Sequence, residues 1–105
     1  FSDEFSIYKN HQPDYIIIIP TKAEIYCYMF KELECNDLNH KKYLTNIDLF
    51  KKTQIYDSTS FLKNNAKKLY LYEKKIIYDY DDTHLNEIGT SLIADFFYEK
   101  IIKSN

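Results

Sequence analysis

The fold class follows from the segment Tyr15-Ile16-Ile17-Ile18-Ile19-Pro20. This uninterrupted apolar, β-branched run is typical of a strand that is covered on both faces, as in a parallel sheet. Proline cannot donate a hydrogen bond to a sheet, so we expect the strand to end at Pro20. Gln54–Asp57 predicts a second strand, and Asp57 or Ser58 is placed to cap a helix that follows it.

Three further segments complete the predicted architecture. Residues 69–72 and 76–80 are strand-like and predict a hairpin, or one strand with an irregular approach. Residues 86–103 predict a helix, because apolar side chains recur on one side at helical spacing. The mixed pattern of residues 23–50 predicts two short helices. We therefore predict an α/β fold in one domain spanning 1–105: a partial three-layer sandwich with a mainly parallel sheet and a C-terminal packing helix.

The composition excludes several classes of function. Hydrophobic residues make up 45% of the 105 positions, enough to build a core, while the single glycine leaves no glycine-rich phosphate-binding loop. The net charge is −2 and the lysine pairs are scattered among acidic residues, which argues against nucleic-acid binding. The eleven tyrosines are expected to pack one ring face in the core with the hydroxyl in water.

Neither the cysteines nor the histidines predict a metal site. Cys27 and Cys35 are eight residues apart, which matches neither a redox motif nor a paired zinc-ligand pattern. Two free thiols are the default expectation, with a disulfide as the alternative outside the cytoplasm. His11, His40 and His84 also lack metal-ligand spacing, so no cofactor is expected. The isoleucine run is too short for a transmembrane segment.

The candidate catalytic residues lie in Asp81-Asp82-Thr83-His84-Leu85-Asn86-Glu87-Ile88-Gly89. A histidine that acts as a general base needs a hydrogen-bond acceptor on its second nitrogen. Asp82 would share a face with His84 if the chain is extended, whereas Asp81 is the better partner if the chain turns. Two carboxylates therefore remain candidates for orienting the imidazole.

The end of the same segment predicts the start of the last helix. Asn86 is a good N-cap, and Gly89 falls in the first turn, where a missing side chain permits close approach to a neighbouring strand. The alternative interpretation is that the whole segment is a polar turn whose side chains only cap this helix.

Another group of candidates follows the first strand. Ligands of open α/β sheets gather beyond the carboxyl ends of the strands, where Thr21, Lys22 and Tyr26 fall. Lys22 would contact an anionic or hydroxyl-rich ligand, or would be a solvated loop lysine. Lys22, Tyr26 and Asn86 are our candidate substrate-binding residues.

Two segments resemble a known superfamily. The pattern Asp-x-x-His-x-Asn-x-x-Gly of residues 81–89, followed by one amphipathic helix, resembles the last conserved block of SGNH-type (GDSL-like) esterases and acetylhydrolases. Residues 15–26 resemble the strand and Pro-Asp-Lys-x-x-x-Tyr-Pro segment of the SGNH-like acetyltransferases that modify alginate and other surface polysaccharides. Thr21, Cys27 and Leu85 stand where that branch has aspartate, proline and tryptophan.

The resemblance implies an enzyme that transfers or hydrolyses an acyl ester on carbohydrate without a cofactor. His84 would take the proton from a serine hydroxyl and return it to the leaving group, while Asp82 or Asp81 orients the imidazole. The resemblance also implies a periplasmic or cell-envelope location. This expectation rests on the resemblance alone, because residues 1–10 lack the pattern of a signal peptide.

No serine lies in the glycine-bearing turn that holds the nucleophile of this superfamily. We therefore expect this chain to be a segment of a longer SGNH-like domain, with the nucleophile supplied by the remainder of its parent chain and little activity of its own. One alternative is a non-catalytic carbohydrate- or protein-binding module that uses Lys22, Tyr26 and His84. Another is an accidental match in a small α/β domain.

Overall fold

The computed structural model describes residues 12–27, 29 and 39–103. It forms two compact units, made of Phe1–Ile18 with Leu38–Asp57 and of Ile19–Asp37 with Ser58–Asn105. The elements in chain order are β1 (Tyr15–Ile18), α1 (Lys22–Tyr26), α2 (His40–Thr45), a 3-10 turn (Asp48–Phe50), β2 (Gln54–Asp57), α3 (Thr59–Glu73), α4 (Glu87–Phe97) and a π-helical turn (Tyr98–Ile102). Helices and a two-stranded parallel sheet confirm the predicted α/β class.

The first unit contains the sheet. Strands β1 and β2 run parallel, with Tyr15 opposite Gln54 and Ile18 opposite Asp57. The prediction that β1 is covered on both faces is wrong, because Tyr15 is exposed and Ile18 is the one residue of this strand that is buried. A parallel pair needs cover on both faces to bury every residue, and β1 is only partly covered.

The second unit has a core built from helices and from the segment before the last helix. The buried cluster brings together side chains of α1, α3 and this segment: Ile25, Tyr26, Leu62, Ala66, Ile77 and Tyr78. Helix α4 adds Phe96, whose ring lies 5.5 Å from that of Phe61, centroid to centroid. Aromatic pairs at such separations contribute packing energy beyond the area they bury.

Two tyrosines of this core have their hydroxyls on backbone groups and not in water, which corrects the expectation for them. The Tyr26 hydroxyl accepts a hydrogen bond from the Ile77 amide at 2.9 Å, and the Tyr78 hydroxyl donates to the Pro20 carbonyl at 2.5 Å. Burial raises the pKa of both phenols, and the bond from Ile77 partly opposes the rise in the pKa of Tyr26. Both side chains thus join segments that are distant in sequence.

The predicted strand at residues 69–72 is wrong, because α3 continues through it to Glu73. Lys74 caps the end of the helix and adopts the left-handed conformation with φ of 57°. The Lys74 amide donates to the Tyr70 carbonyl, and the Lys75 amide donates to the Leu69 carbonyl. Such an ending usually uses glycine, so the sequence carries no stop signal here.

The predicted strand at residues 76–80 is also wrong. These residues form no regular strand, and only Tyr78 makes an isolated antiparallel bridge, to Leu85. The segment nevertheless delivers the chain to Asp81, as expected. The Ile77 amide donates to the Tyr26 hydroxyl, and the carbonyls of Ile76 and Ile77 accept bonds from Asn86 at the start of α4. These backbone groups therefore need no strand partner.

The last helix is confirmed. Helix α4 begins at Glu87 and is continued by the π-helical turn to Ile102. Asn86 is its N-cap, and its side chain accepts a hydrogen bond from the Gly89 amide at 3.0 Å. The predicted close approach at Gly89 is confirmed, but its neighbour is the irregular segment at Ile77 and not a strand. A Cβ atom at Gly89 would collide with the Ile77 carbonyl oxygen and lie 2.7 Å from Leu85 Cδ2.

Two further sequence predictions can be compared with the described residues. Cys27 is disulfide-bonded, so the free-thiol expectation is wrong for it. Cys35 and His11 lie outside the described residues. Within those residues, no helix combines the length and the apolar character that crossing a membrane requires.

We expect Gly89→Ala to destabilise the fold by about 1–3 kcal/mol, the usual range for overpacking. The added methyl group would force the Ile77 carbonyl away from α4, at a site where the helix propensity of alanine is otherwise favourable by about 1 kcal/mol. Chemical denaturation measures the change. Thr90→Ala, at an exposed position of the same helix, is the control. Its free energy of unfolding should stay within about 0.5 kcal/mol of that of the unsubstituted chain. Equal stability of both variants would contradict the role of the close approach.

Candidate functional site

The predicted catalytic residues lie in a loop between Tyr78 and Leu85, which is called the 79–84 loop below. The bridge between these two residues closes the loop, and inside it the Asp79 amide donates to the His84 carbonyl at 2.7 Å. All six residues of the loop are exposed. The side chains of the loop are therefore exposed to solvent, while the bridge holds its two ends together.

Asp82 and His84 are in direct contact. The carboxylate Oδ1 of Asp82 accepts the His84 amide at 2.7 Å and lies 3.2 Å from Nδ1 of the imidazole. This is an Asx turn, in which an aspartate side chain binds the backbone two residues further on. The two residues share a side because of this turn, and not because the chain is an extended strand. The His84 side chain is 83% exposed although its Nδ1 is in contact with Asp82.

The charged form of Asp82 is favoured. The bond from the His84 amide is the main cause that lowers the pKa of this carboxyl, and the imidazole and the Lys22 ammonium act in the same direction, against a smaller desolvation effect. A lowered pKa stabilises the folded loop above the unfolded value of about 4 and loses that contribution as the pH falls through the folded value. Asp82 is thus a carboxylate at neutral pH.

The other candidate acid stands apart from this contact. Asp81 is exposed beside Asp82, and the carboxylate bonded to the imidazole is that of Asp82. In an Asx turn the aspartate binds the amide two residues further on, so the partner of His84 is Asp82 and not Asp81. The geometry therefore favours Asp82 as the acid that orients His84.

Lys22 lies against the backbone of the 79–84 loop. Its ammonium group donates to the carbonyl oxygens of Asp79 at 2.8 Å, Tyr80 at 3.2 Å and Asp82 at 3.4 Å. The sequence suggested a ligand contact or a solvated lysine and gave no sign of this role. Ligand binding by Lys22 stays a prediction, although its three donors already have protein partners.

Asn86 and Tyr26 also bond the backbone around the loop. The Asn86 amide nitrogen donates to the Ile76 carbonyl at 2.7 Å and to the Tyr78 carbonyl at 3.3 Å, while its oxygen caps α4. Tyr26 is 3% exposed, with its hydroxyl on Ile77. Substrate binding by either residue stays a prediction. Their observed contacts hold the base of the loop in place.

A groove with a volume of about 510 Å³ lies beside the loop. Its walls combine three tyrosine rings with aliphatic groups, and they come from Lys22, Ala23, Tyr26, Tyr70, Ile76, Tyr80 and Thr83. Ligand sites are typically mainly apolar cavities of about 300–1,000 Å³ with a few polar groups. Thr83 and Tyr80 place this groove next to the Asp82–His84 pair. Sequence reasoning missed most of the groove, because its residues come from three separate segments.

The described serines do not sit in a glycine-bearing turn. Ser58 is fully buried before α3, Ser60 is exposed in α3, and Ser91 is exposed in α4. The remaining serines lie outside the described residues: Ser2, Ser6 and Ser104. Over residues 12–27, 29 and 39–103, no group of three or more His, Cys, Asp or Glu side chains is placed to hold a metal ion.

Comparisons with known proteins give this chain no relatives. No protein-family model, no curated protein and no solved structure matches it.

We expect Asn86→Asp to destabilise the fold by about 1–3 kcal/mol, although aspartate is as good an N-cap as asparagine. The carboxylate cannot donate to the carbonyls of Ile76 and Tyr78 and would face them with a negative charge. Thermal or chemical denaturation at pH 7 measures the loss. Asn39→Asp is the matched control, because Asn39 only caps α2 by accepting the Lys42 amide. A loss at position 39 as large as that at position 86 would contradict the role of the donated bonds.

Proposed function

We propose that this chain supplies the acid–base pair of an acyl-ester enzyme of the SGNH type, an O-acetyltransferase or esterase acting on carbohydrate. The contact between Asp82 Oδ1 and His84 Nδ1 carries this proposal. With the proton on Nδ1, the imidazole donates to Asp82 and keeps Nε2 free as a base. This is the arrangement that activates a serine hydroxyl in a Ser-His-Asp triad.

The chemistry follows from this arrangement. Nε2 of His84 accepts the serine proton as the serine oxygen attacks the acyl carbonyl, and the negative charge of Asp82 stabilises the imidazolium that forms. The imidazolium then returns the proton to the leaving alcohol. In the second step the base activates water in an esterase, or the hydroxyl of an acceptor sugar in a transferase.

The nucleophile and the donors for the oxyanion belong to the rest of the parent chain in this proposal. The exposure of His84 supports this division, because stabilisation of a developing charge is strong only where water is excluded. A base that is 83% exposed would therefore be one half of a site that another segment covers. The envelope location implied by the resemblance belongs to the same proposal.

In the intact parent protein, we expect His84→Ala to lower turnover of an acyl ester such as p-nitrophenyl acetate by about 10²–10⁴-fold. The base is lost, whereas the loop keeps its backbone bonds. Steady-state kinetics at pH 7.5 measure the change, with circular dichroism as a check of folding. His40→Ala is the control histidine, since His40 begins α2 in the other unit.

The carboxylates provide the second half of this test. Asp82→Asn should lower kcat strongly because it removes the charge that orients and stabilises the imidazole, whereas Asp81→Asn should have a small effect. Turnover that is unchanged in His84→Ala would refute the triad. A loss in Asp81→Asn with none in Asp82→Asn would transfer the orienting role to Asp81.

A non-catalytic carbohydrate-binding module is the second candidate, and the groove favours it. Tyrosine rings offer apolar faces for the C–H faces of a sugar and hydroxyls for its oxygen atoms. Tyr80 is 87% exposed at the groove and is the most accessible of these rings. Binding there would need neither a nucleophile nor a proton transfer.

For this candidate, we expect a neutral oligosaccharide such as cellotetraose to shift the NMR signals of Tyr80 and Thr83 in the isolated chain. Tyr80→Ala should weaken binding about tenfold, equivalent to about 1.4 kcal/mol. Tyr72→Ala is the matched control, because Tyr72 is 83% exposed in α3 and does not line the groove. Absence of shifts, or an equal loss in both variants, would reject the groove as a sugar site.

A further inference from the structure

We propose that Lys22 is a positioning residue that holds the 79–84 loop in the conformation in which Asp82 and His84 meet. This inference rests on the proposed function, since it concerns the geometry of the same pair. In this role the three donors of the Lys22 ammonium group bind loop carbonyls and not the reacting atoms. Lys22 would act through the loop backbone alone.

The contact between Lys22 and the loop is chemically matched. An ammonium group has three donors, and three carbonyl oxygens converge on it at 2.8, 3.2 and 3.4 Å. Carbonyl oxygens that point toward one place repel each other unless a donor or a cation lies between them. The curvature of the loop around Nζ is therefore a conformation that Lys22 stabilises.

Three sets of contacts define the loop, and only the contacts of Lys22 come from a segment that is distant in sequence. The bridge between Tyr78 and Leu85 closes its base, and the Asx turn of Asp82 shapes its end. Lys22 binds the part between them. The loop contains no proline that would restrict its backbone, so contacts such as that of Lys22 must offset the entropy lost when it is ordered.

Lys22 is itself held in a fixed place relative to the loop. Pro20 precedes Lys22 and Tyr26 follows it. The Pro20 carbonyl accepts the Tyr78 hydroxyl, and the Tyr26 hydroxyl accepts the Ile77 amide, so both bonds reach residues directly before the loop. The Thr21 hydroxyl oxygen also accepts the Glu24 amide and starts α1 at Lys22. The backbone position of Lys22 is thus fixed by contacts that do not involve its ammonium group.

The effect on the pair passes through Asp82. Lys22 binds the carbonyl of Asp82, whose carboxylate binds both the amide and the ring of His84. Rotation of this backbone would move the carboxylate away from the imidazole. The positive charge of Lys22 also favours the ionised carboxylate, in the same direction as the bonds from His84.

The test is an NMR comparison of the whole chain with Lys22→Met, Lys22→Arg and the control Lys67→Met, an exposed lysine of α3. Hydrogen exchange of the His84 amide reports the Asx turn, and a pH titration reports the carboxyl pKa of Asp82. We expect Lys22→Met to speed this exchange about tenfold or more and to raise the pKa of Asp82 toward its ordinary value. The amides of Leu62 and Ala66 in the core should keep their protection, and Lys67→Met should change neither readout.

Lys22→Arg separates charge from geometry. The planar guanidinium keeps the charge but cannot converge on three carbonyls as an ammonium does, so the exchange of the His84 amide should become faster. The bond from that amide is the main cause of the lowered pKa of Asp82, so this pKa should rise in the Arg variant too, although the positive charge is kept. If Lys22→Met fails to fold, this variant decides the question. His84 exchange at the wild-type rate in the folded Met variant, or in the Arg variant, overturns the positioning role.

The outcomes for Lys22 and for the proposed function are separable. In the intact parent protein, Lys22→Met should lower kcat with little change in KM, because a positioning role acts on the Asp82–His84 pair through the loop backbone. A rise in KM would instead indicate the predicted contact of Lys22 with the substrate. A disordered Asx turn in Lys22→Met, together with full turnover in His84→Ala, would keep the positioning role and reject the triad. An unchanged Asx turn, together with lost turnover in His84→Ala, would do the reverse.

Discussion

The second unit depends on the close approach of α4 to the backbone of Ile77. The Ile77 carbonyl accepts the Asn86 amide at 3.0 Å, and Gly89 leaves room for that carbonyl against the first helical turn. The Ile77 amide is bound on the other side by the Tyr26 hydroxyl. One peptide segment is thus fixed between α1 and α4, and the loop that follows it starts from a defined position.

Short-range signals predicted the elements that have regular ends. Strand β2 and helix α4 were predicted close to their observed bounds, and the close approach at Gly89 followed from the missing side chain in the first turn of α4. The end of α3 could not be predicted in the same way. Lys74 adopts a left-handed conformation that usually belongs to glycine, so residues 69–72 resembled a strand although they continue a helix.

In the candidate site, too, short-range contacts could be predicted and long-range contacts could not. The contact between Asp82 and His84 could be predicted because it spans two residues, although the Asx turn that makes it differs from the extended chain that was considered. The contacts of Lys22 join residues 57 to 60 positions apart. Hydrophobic period and residue type carry no information about such a pair, since they describe only neighbouring positions.

The long separation of these bonds has a consequence for synthesis. Lys22 binds Asp79, 57 residues further along the chain, so at about 5–20 residues per second the lysine is made roughly 3–11 s before its partner. Throughout that interval α1, only five residues long, is too short to persist as an isolated helix. The contacts between Lys22 and the loop can therefore form only when the later part of the chain folds back onto a segment made much earlier, whereas the Asx turn can form as soon as its own residues are made.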